Sequence, residues 1–523
     1  MRIALLVGAG LMVGSAELCA AIDDAVRLDT GLVAGTDAPH AGVRVFKGLP
    51  FGAPPIGDLR WREPQPVASW DGIRQATEFA DVCIQPPGQG RLNIAAMEGS
   101  PPMSEDCLYL NVWTPAEAAT DRLPVMVYFF GGAFTEGAGS VPLYDGTALA
   151  AKGAVVVTMN YRLGAFGFFA HPVLTADSSR KASGNYGILD MLASLEWVER
   201  NIAAFGGDPG NVTIFGQSAG AMAIASLIAS PRAKGLFQRA ISQSIMGPGV
   251  APGMSTLERA EQAGLEAANA AGVTTAEGLR GMSAEDIVGK FRSAGMIVDG
   301  WAIPEDPAVT YAEGRQNRVD FLVGANKDES FFPARTTPEQ FAQQAQGRFG
   351  ELADRYLALY PHATNEEAGI ASAETFRDQT FWNARRYAEY QREIGRASYV
   401  YFFAQNPPAA GGAAPLPATH ASEVPYVFNN LGELPLFPDR SLPDLAEASA
   451  ADREVADQIS SYWVNFARDG DPNGRGLLNW PRHSGLERVD AAILDADPAA
   501  ERLPSLERMQ LFDAVLEGQI AAD

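Results

Sequence analysis

The sequence predicts an α/β fold with a mostly parallel sheet, on three observations. Short apolar runs recur along the chain. A helical stripe separates two of them, and one run enters a glycine-flanked serine turn that opens another helix. The runs are residues 125–130, 154–159, 212–215, 320–323 and 398–403. Their hydrophobicity is continuous rather than alternating, which marks strands covered on both faces. Between the second and third runs, Leu189, Leu192, Leu195, Val198 and Ile202 recur at three- and four-residue steps and form one apolar helical stripe. Strand, helix, strand, tight turn, helix is the order of a βαβ unit.

No internal repeat is visible. The Pro-, Gly- and Ala-rich segments 86–103 and 406–418 read as surface loops and separate no domains. Residues 256–347 carry Ala- and Glu-rich helical patterns plus one strand, part of which is expected to cap the sheet edge. Residues 21–523 are therefore expected to form one elaborated domain. Residues 1–20 read as an address: Arg2, a short apolar run and small residues near Ala20 fit a secretory signal peptide, with Glu17 the one discordant residue. The run is too short to span a bilayer. Two rivals are weaker, because the early glycines have the wrong spacing for a dinucleotide fold, and Leu18 precedes Cys19 where lipid attachment needs a small residue. The expected location is thus periplasmic or secreted. In such an oxidising compartment Cys83 and Cys107 are expected to pair, the alternative being two buried thiols.

Composition excludes several functions. The 523 residues are 47% apolar and 20% charged, with a net charge of −23 and no basic stretch to neutralise phosphates, so no nucleic-acid partner is expected. Three cysteines without metal spacing and five histidines in all argue against a metal site, and no organic cofactor is implied.

The most informative stretch runs from Asn211 to Met222. Val212-Thr213-Ile214-Phe215 enters Gly216-Gln217-Ser218-Ala219-Gly220, which leads into an Ala-, Ile- and Leu-rich helix. That context separates a nucleophile elbow from an ordinary glycine-rich turn. Ser218 would stand at a helix N-terminus, where negative charge is favoured. A serine nucleophile needs a base, a group to orient the base, and donors for the oxygen that becomes charged. Phe129-Phe130-Gly131-Gly132-Ala133-Phe134 follows a strand and supplies candidate donors. The N–H groups of Gly132, Ala133 and Ala219 are expected to form the oxyanion hole.

At this point the chain resembles the type-B carboxylesterases, an α/β-hydrolase family that includes para-nitrobenzyl-esterase-like bacterial enzymes, some lipases and the cholinesterases. The resemblance rests on residues 46–55, on Glu105-Asp106-Cys107-Leu108-Tyr109-Leu110-Asn111-Val112, on Phe205-Gly206-Gly207-Asp208-Pro209 leading to the serine turn, and on residues 462–467 and 479–481. It implies the chain order Ser, acid, His. Either Asp328 or Glu329 could end the strand at 320–323 as the acid; the family pattern Asn-Lys-Asp-Glu assigns Glu329 and leaves Asp328 as a turn residue. Of the later histidines, His362 and His483 read as solvated, while Thr419-His420-Ala421-Ser422-Glu423-Val424-Pro425-Tyr426 matches the family's histidine loop. The resemblance also implies the Cys83–Cys107 disulfide, and supporting hydrogen bonds from Ser244 and Glu423.

Three departures matter. Phe130 precedes the oxyanion glycines where His or Tyr is frequent, Gln217 stands where Glu is frequent, and the Cys83–Cys107 loop holds no tryptophan, which argues against a choline-ester specialist. Phe134, Trp301, Phe331 and Phe332 are candidates to wall an apolar pocket, with core packing the alternative. The expectation is a serine carboxylic-ester hydrolase acting on small-molecule esters. A lipase or amide-cleaving relative is the nearest alternative, and a non-catalytic adhesion-type member is disfavoured by the complete triad.

Overall fold

The computed structural model describes residues 25–38, 42–86, 102–246, 250, 253–330, 335–408, 415–431, 448–499 and 502–522. The signal-peptide expectation for residues 1–20, and Phe331 and Phe332, lie outside these.

The described residues form a ten-stranded sheet. In chain order its strands are β1 (Thr36–Asp37), β2 (Arg44–Pro50), β3 (Tyr109–Thr114), β4 (Leu123–Phe129), β5 (Val155–Met159), β6 (Gly207–Gln217), β7 (Arg239–Gln243), β8 (Asp320–Asn326), β9 (Ser398–Phe403) and β10 (Ala492–Leu494). Their spatial order is β10-β9-β8-β7-β6-β4-β5-β3-β2-β1. From β10 to β5 every neighbouring pair is parallel, and β3, β2 and β1 add an antiparallel edge. The five expected runs all lie in the parallel part. Val125, Val127, Val155, Val157, Ile214, Phe321 and Val323 have no solvent exposure, as cover on both faces requires.

Helices flank this sheet. The helix α1 (Tyr186–Asn201) buries the expected stripe through Val198, while Ile202 opens a tight 3-10 turn closed by Gly206 at φ 75°. Its Asp190 has no solvent exposure and pairs with the guanidinium of Arg162 at 2.7 Å, which anchors the loop after β5. Helices α2 (Ala219–Ala229), α3 (Asn365–Glu393) and α4 (Ala450–Asp469) pack against β6 and β7, β8 and β9, and β4 and β6 respectively. The segment expected as a cap contributes helices Leu257–Ala270, Ala276–Arg280 and Ala284–Lys290, which pack on the short helices Gly164–Phe168 and Pro172–Asp177 that follow β5. Among the described residues, no helix is long and apolar enough to cross a membrane. Cys83 and Cys107 are bonded as a disulfide, with Cα atoms 5.0 Å apart.

The strand order itself locates a crevice. The connection leaving β4 runs to β5 on one side, whereas the connection leaving β6 runs to β7 on the other. Adjacent parallel strands whose connections diverge leave a cleft beyond their carboxyl ends, where ligands of open α/β sheets bind. The residues following β4 and β6 are the glycine turn at 131–133 and Ser218.

Candidate active site

The chain reverses from β6 into α2 on a single residue. Ser218 adopts φ 56° and ψ −118°, a combination that L-residues rarely adopt, and is 8% exposed at the N-cap of α2. Its N–H donates to the Gln243 carbonyl at the end of β7, at 2.9 Å, which ties the strained turn to the neighbouring strand. Such a turn needs glycines beside it. A Cβ on Gly220 would come within 1.9 Å of the Phe129 carbonyl oxygen, and one on Gly131 within 3.0 Å of the Ser218 Cβ. The β4 turn and the elbow therefore touch only because both are stripped of side chains.

After β4, Gly132, Ala133 and Phe134 take φ values of 111°, 53° and 60°. This left-handed run turns the loop back on itself, with the Gly132 carbonyl accepting from the N–H groups of Thr135 and Glu136. Among the described residues, the N–H groups of Gly132 and Ala133 donate to no backbone carbonyl. Ala219 is the first residue of α2, whose early amides have no acceptor within the helix. Successive free amides of this kind form an anion-binding concavity.

The acid and the histidine meet from the far side. Glu329 has no solvent exposure and His420 is 3% exposed; Glu329 Oε2 lies 2.6 Å from His420 Nδ1. The second oxygen, Oε1, accepts the backbone N–H of Asn326 at 2.8 Å. On its other edge, His420 Nε2 lies 2.9 Å from the side-chain nitrogen of Gln217, the residue before Ser218. The imidazole is thus gripped between the end of β6 and the loop after β8.

Asp328 is a clamp. Its N–H donates to the Ala418 carbonyl and its Oδ2 accepts the Ala418 N–H, both at 3.0 Å, which pins the segment that carries His420. The two oxygens of Glu423 accept from the side-chain amides of Gln243 at 3.0 Å and of Asn326 at 2.5 Å. Burial pushes the Glu423 carboxyl above its ordinary range; the Asn326 amide pulls it back, and the Glu329 charge pushes it up again. The support expected from Ser244 is not formed through its side chain. The Ser244 hydroxyl has no hydrogen-bond partner among the described residues, and its backbone turns away at φ 54° while its N–H donates to Gly324. Both oxygens of Glu329 are already engaged, by His420 and Asn326.

Other expectations are corrected. His483 is not solvated: it is 6% exposed, with Nε2 3.2 Å from a Glu389 oxygen. His362 is half-buried, its Nδ1 2.8 Å from the Tyr360 carbonyl oxygen. Of the pocket-wall candidates, Phe134 takes the core-packing alternative against Phe168, while Trp301, with the Arg180 and Arg232 guanidinium groups at 4.2 and 4.0 Å from its ring, lines a pocket beside Tyr186 and Asp299. Phe130 stacks on Tyr161, whose hydroxyl donates to the Phe130 carbonyl.

The carboxylesterase family model matches residues 22–510. A fumonisin B1 esterase from Sphingopyxis macrogoltabida is 40% identical over 472 residues, covering 87% of this chain and 83% of that protein. A para-nitrobenzyl esterase from Bacillus subtilis is 36% identical over 512 residues, covering 92% of this chain and 96% of its own. This chain belongs to the carboxylesterase family. A solved thermophilic PNB esterase superposes with a TM-score of 0.78 at 34% identity, over 94% of this chain and 100% of the other. The fold is the α/β-hydrolase fold, and the protein is a carboxylic ester hydrolase.

Two residues of this carboxylesterase escaped the sequence reading. Asn326 bridges Glu329 and Glu423, and Gln243 holds the other oxygen of Glu423 while its side-chain Oε1 accepts the Trp463 indole N–H at 3.4 Å. Asn326 stood inside the Asn-Lys-Asp-Glu motif, and that was its only signal. Gln243 had none, because β7 is too polar at its end to read as a buried strand.

Proposed function

We propose that this enzyme cleaves carboxylic esters through an acyl-enzyme on Ser218, with His420 as the base and Glu329 as the orienting acid. The observation that carries the reading is the 2.6 Å contact between Glu329 and His420 Nδ1, on an imidazole whose other edge faces the residue before Ser218. A carboxylate only accepts, so the neutral ring carries its proton on Nδ1 and presents on Nε2 the lone pair that acts as the base, at the edge the Gln217 amide approaches. As Ser218 Oγ bonds to the ester carbonyl carbon, its proton passes to His420 Nε2, and Glu329 stabilises the imidazolium. The charge that develops on the carbonyl oxygen is met by the N–H groups of Gly132, Ala133 and Ala219. Collapse expels the alcohol, which takes the proton from Nε2. Water then attacks the acyl group, giving a proton to His420, and the carboxylic acid leaves with Ser218 restored.

A fumonisin B1 esterase and a para-nitrobenzyl esterase among the relatives support a small organic ester as substrate. The disulfide and the amino-terminal sequence support export to an oxidising compartment. The test is pre-steady-state hydrolysis of a short-chain p-nitrophenyl ester. The wild type is expected to release one burst of p-nitrophenol per active site, and Ser218→Ala to lose the burst and, on the order of 10⁶-fold, the turnover. A burst retained in Ser218→Ala would overturn the proposal.

A further inference from the structure

Gln217 occupies a position that the proposed mechanism leaves without a task. It ends β6, is 5% exposed, and its side-chain amide reaches the very edge of His420 that must accept the serine proton. The amide is confined: a Cβ on Gly131 would meet its Oε1 at 2.7 Å. Because Nδ1 faces the Glu329 carboxylate, the neutral ring presents a bare Nε2, and the Gln217 amide N–H donates to it. Once the ring is protonated, Nε2 becomes a donor, and the same carboxamide can serve it by turning its oxygen inward. A carboxylate of the same length could serve the protonated ring only.

We infer that Gln217 is a positioning residue of this esterase: its uncharged carboxamide fixes the Nε2 edge of His420 in both protonation states and keeps a second negative charge away from that edge. The inference rests on Ser218 and His420 acting as proposed above. Around the ring, Glu329 faces Nδ1 from the loop after β8, and Glu423, on the histidine's own loop, is close enough to feel its charge. Tyr401 from β9 and Tyr128 from β4 face Glu423 with phenols held neutral by burial, and Glu136 lies in the oxyanion loop beside Gly132. Glu329 thus holds the Nδ1 edge of the ring, and a carboxylate at 217 would place a further negative charge on the opposite edge.

The test compares kcat/KM against pH for the wild type, Gln217→Glu and Gln217→Met, with rates expressed per site titrated by the p-nitrophenol burst, so that misfolded protein does not count. In Gln217→Glu the acidic limb is expected to move toward higher pH by about one pH unit or more, since an adjacent carboxylate favours the imidazolium. In Gln217→Met, which adds no charge, the limb is expected to stay in place while kcat falls about tenfold with KM little changed, because the ring loses its orientation. Profiles for wild type and Gln217→Glu that superimpose would overturn the inference, as would a kcat for Gln217→Met equal to wild type. If either variant yields too few burst sites, Gln217→Asn, which shortens the amide, is read by the same kcat criterion. Turnover retained in Ser218→Ala would instead bring down the mechanism on which the inference stands.

Discussion

At His483 the ring is 6% exposed, and burial lowers its pKa from the ordinary 6.5 to about 4, with the Glu389 charge only partly offsetting that effect. The folded ring therefore stays neutral between those values while the unfolded chain takes up a proton, so stability falls as pH drops from 6.5 to 4. The contribution reaches about 3 kcal/mol at most. Thermal unfolding midpoints at pH 7, 5.5 and 4.5 should decline less steeply in His483→Gln than in the wild type; equal slopes would contradict the account. The histidines also show what single residues reveal. His420 was legible because its flanking octapeptide is distinctive and its place in chain order is right. His483 was misread because the polar stretch around it hides its burial, which comes from Ser398 on β9 and Glu389 on α3, both remote in sequence. Gln217 was visible as an uncharged departure, but its contact with an imidazole 203 positions away was not.

The element that matters most is the pair of loops after β8 and before His420. Asp328 and Glu329 are neighbours with opposite tasks: one bonds the main chain of the histidine loop, the other the imidazole. Local sequence left both open as the acid, since alternate residues of an irregular loop carry no period that says which way each points. The structure separates their expected phenotypes. Asp328→Ala loses one clamp to Ala418, a cost of about 1–2 kcal/mol in stability, with kcat kept within about tenfold. Glu329→Gln removes the charge and favours the wrong tautomer, for a loss in kcat of roughly 10³–10⁴. A chromogenic ester assay beside thermal unfolding reads both, and a larger kcat loss in Asp328→Ala would reverse the assignment. The strands follow a similar logic. The runs ending in β4, β5, β6, β8 and β9 announced themselves by unbroken hydrophobicity, whereas β7 ends in buried Ser242 and Gln243 and was not seen. A polar residue buried at a strand's carboxyl end looks like surface until its partner, here Glu423, is known.

Across the whole molecule, the site is the product of strand order. Segments around residues 131, 218, 329 and 420 converge because β4, β6 and β8 are parallel and deliver their carboxyl ends to one edge, with diverging connections opening the cleft between β4 and β6. Sequence could give the parallel class and the serine elbow, each of which is local. It could not give the order β8-β7-β6-β4-β5, which depends on packing between segments far apart in the chain. The antiparallel edge of β3, β2 and β1 was likewise hidden, because Asn111 interrupts the apolar run of β3, Lys47 and Gly48 interrupt that of β2, and β1 is only two residues long. The central claim is that this convergence makes one serine the carrier of the acyl group. It is tested most directly by treating the protein with an ester-mimicking phosphonate and mapping the adduct by peptide mass spectrometry. The account predicts loss of esterase activity in step with one phosphonyl group on Ser218, and no labelling when His420 is replaced by Ala over the same interval. Full inactivation with the label on another residue would contradict it.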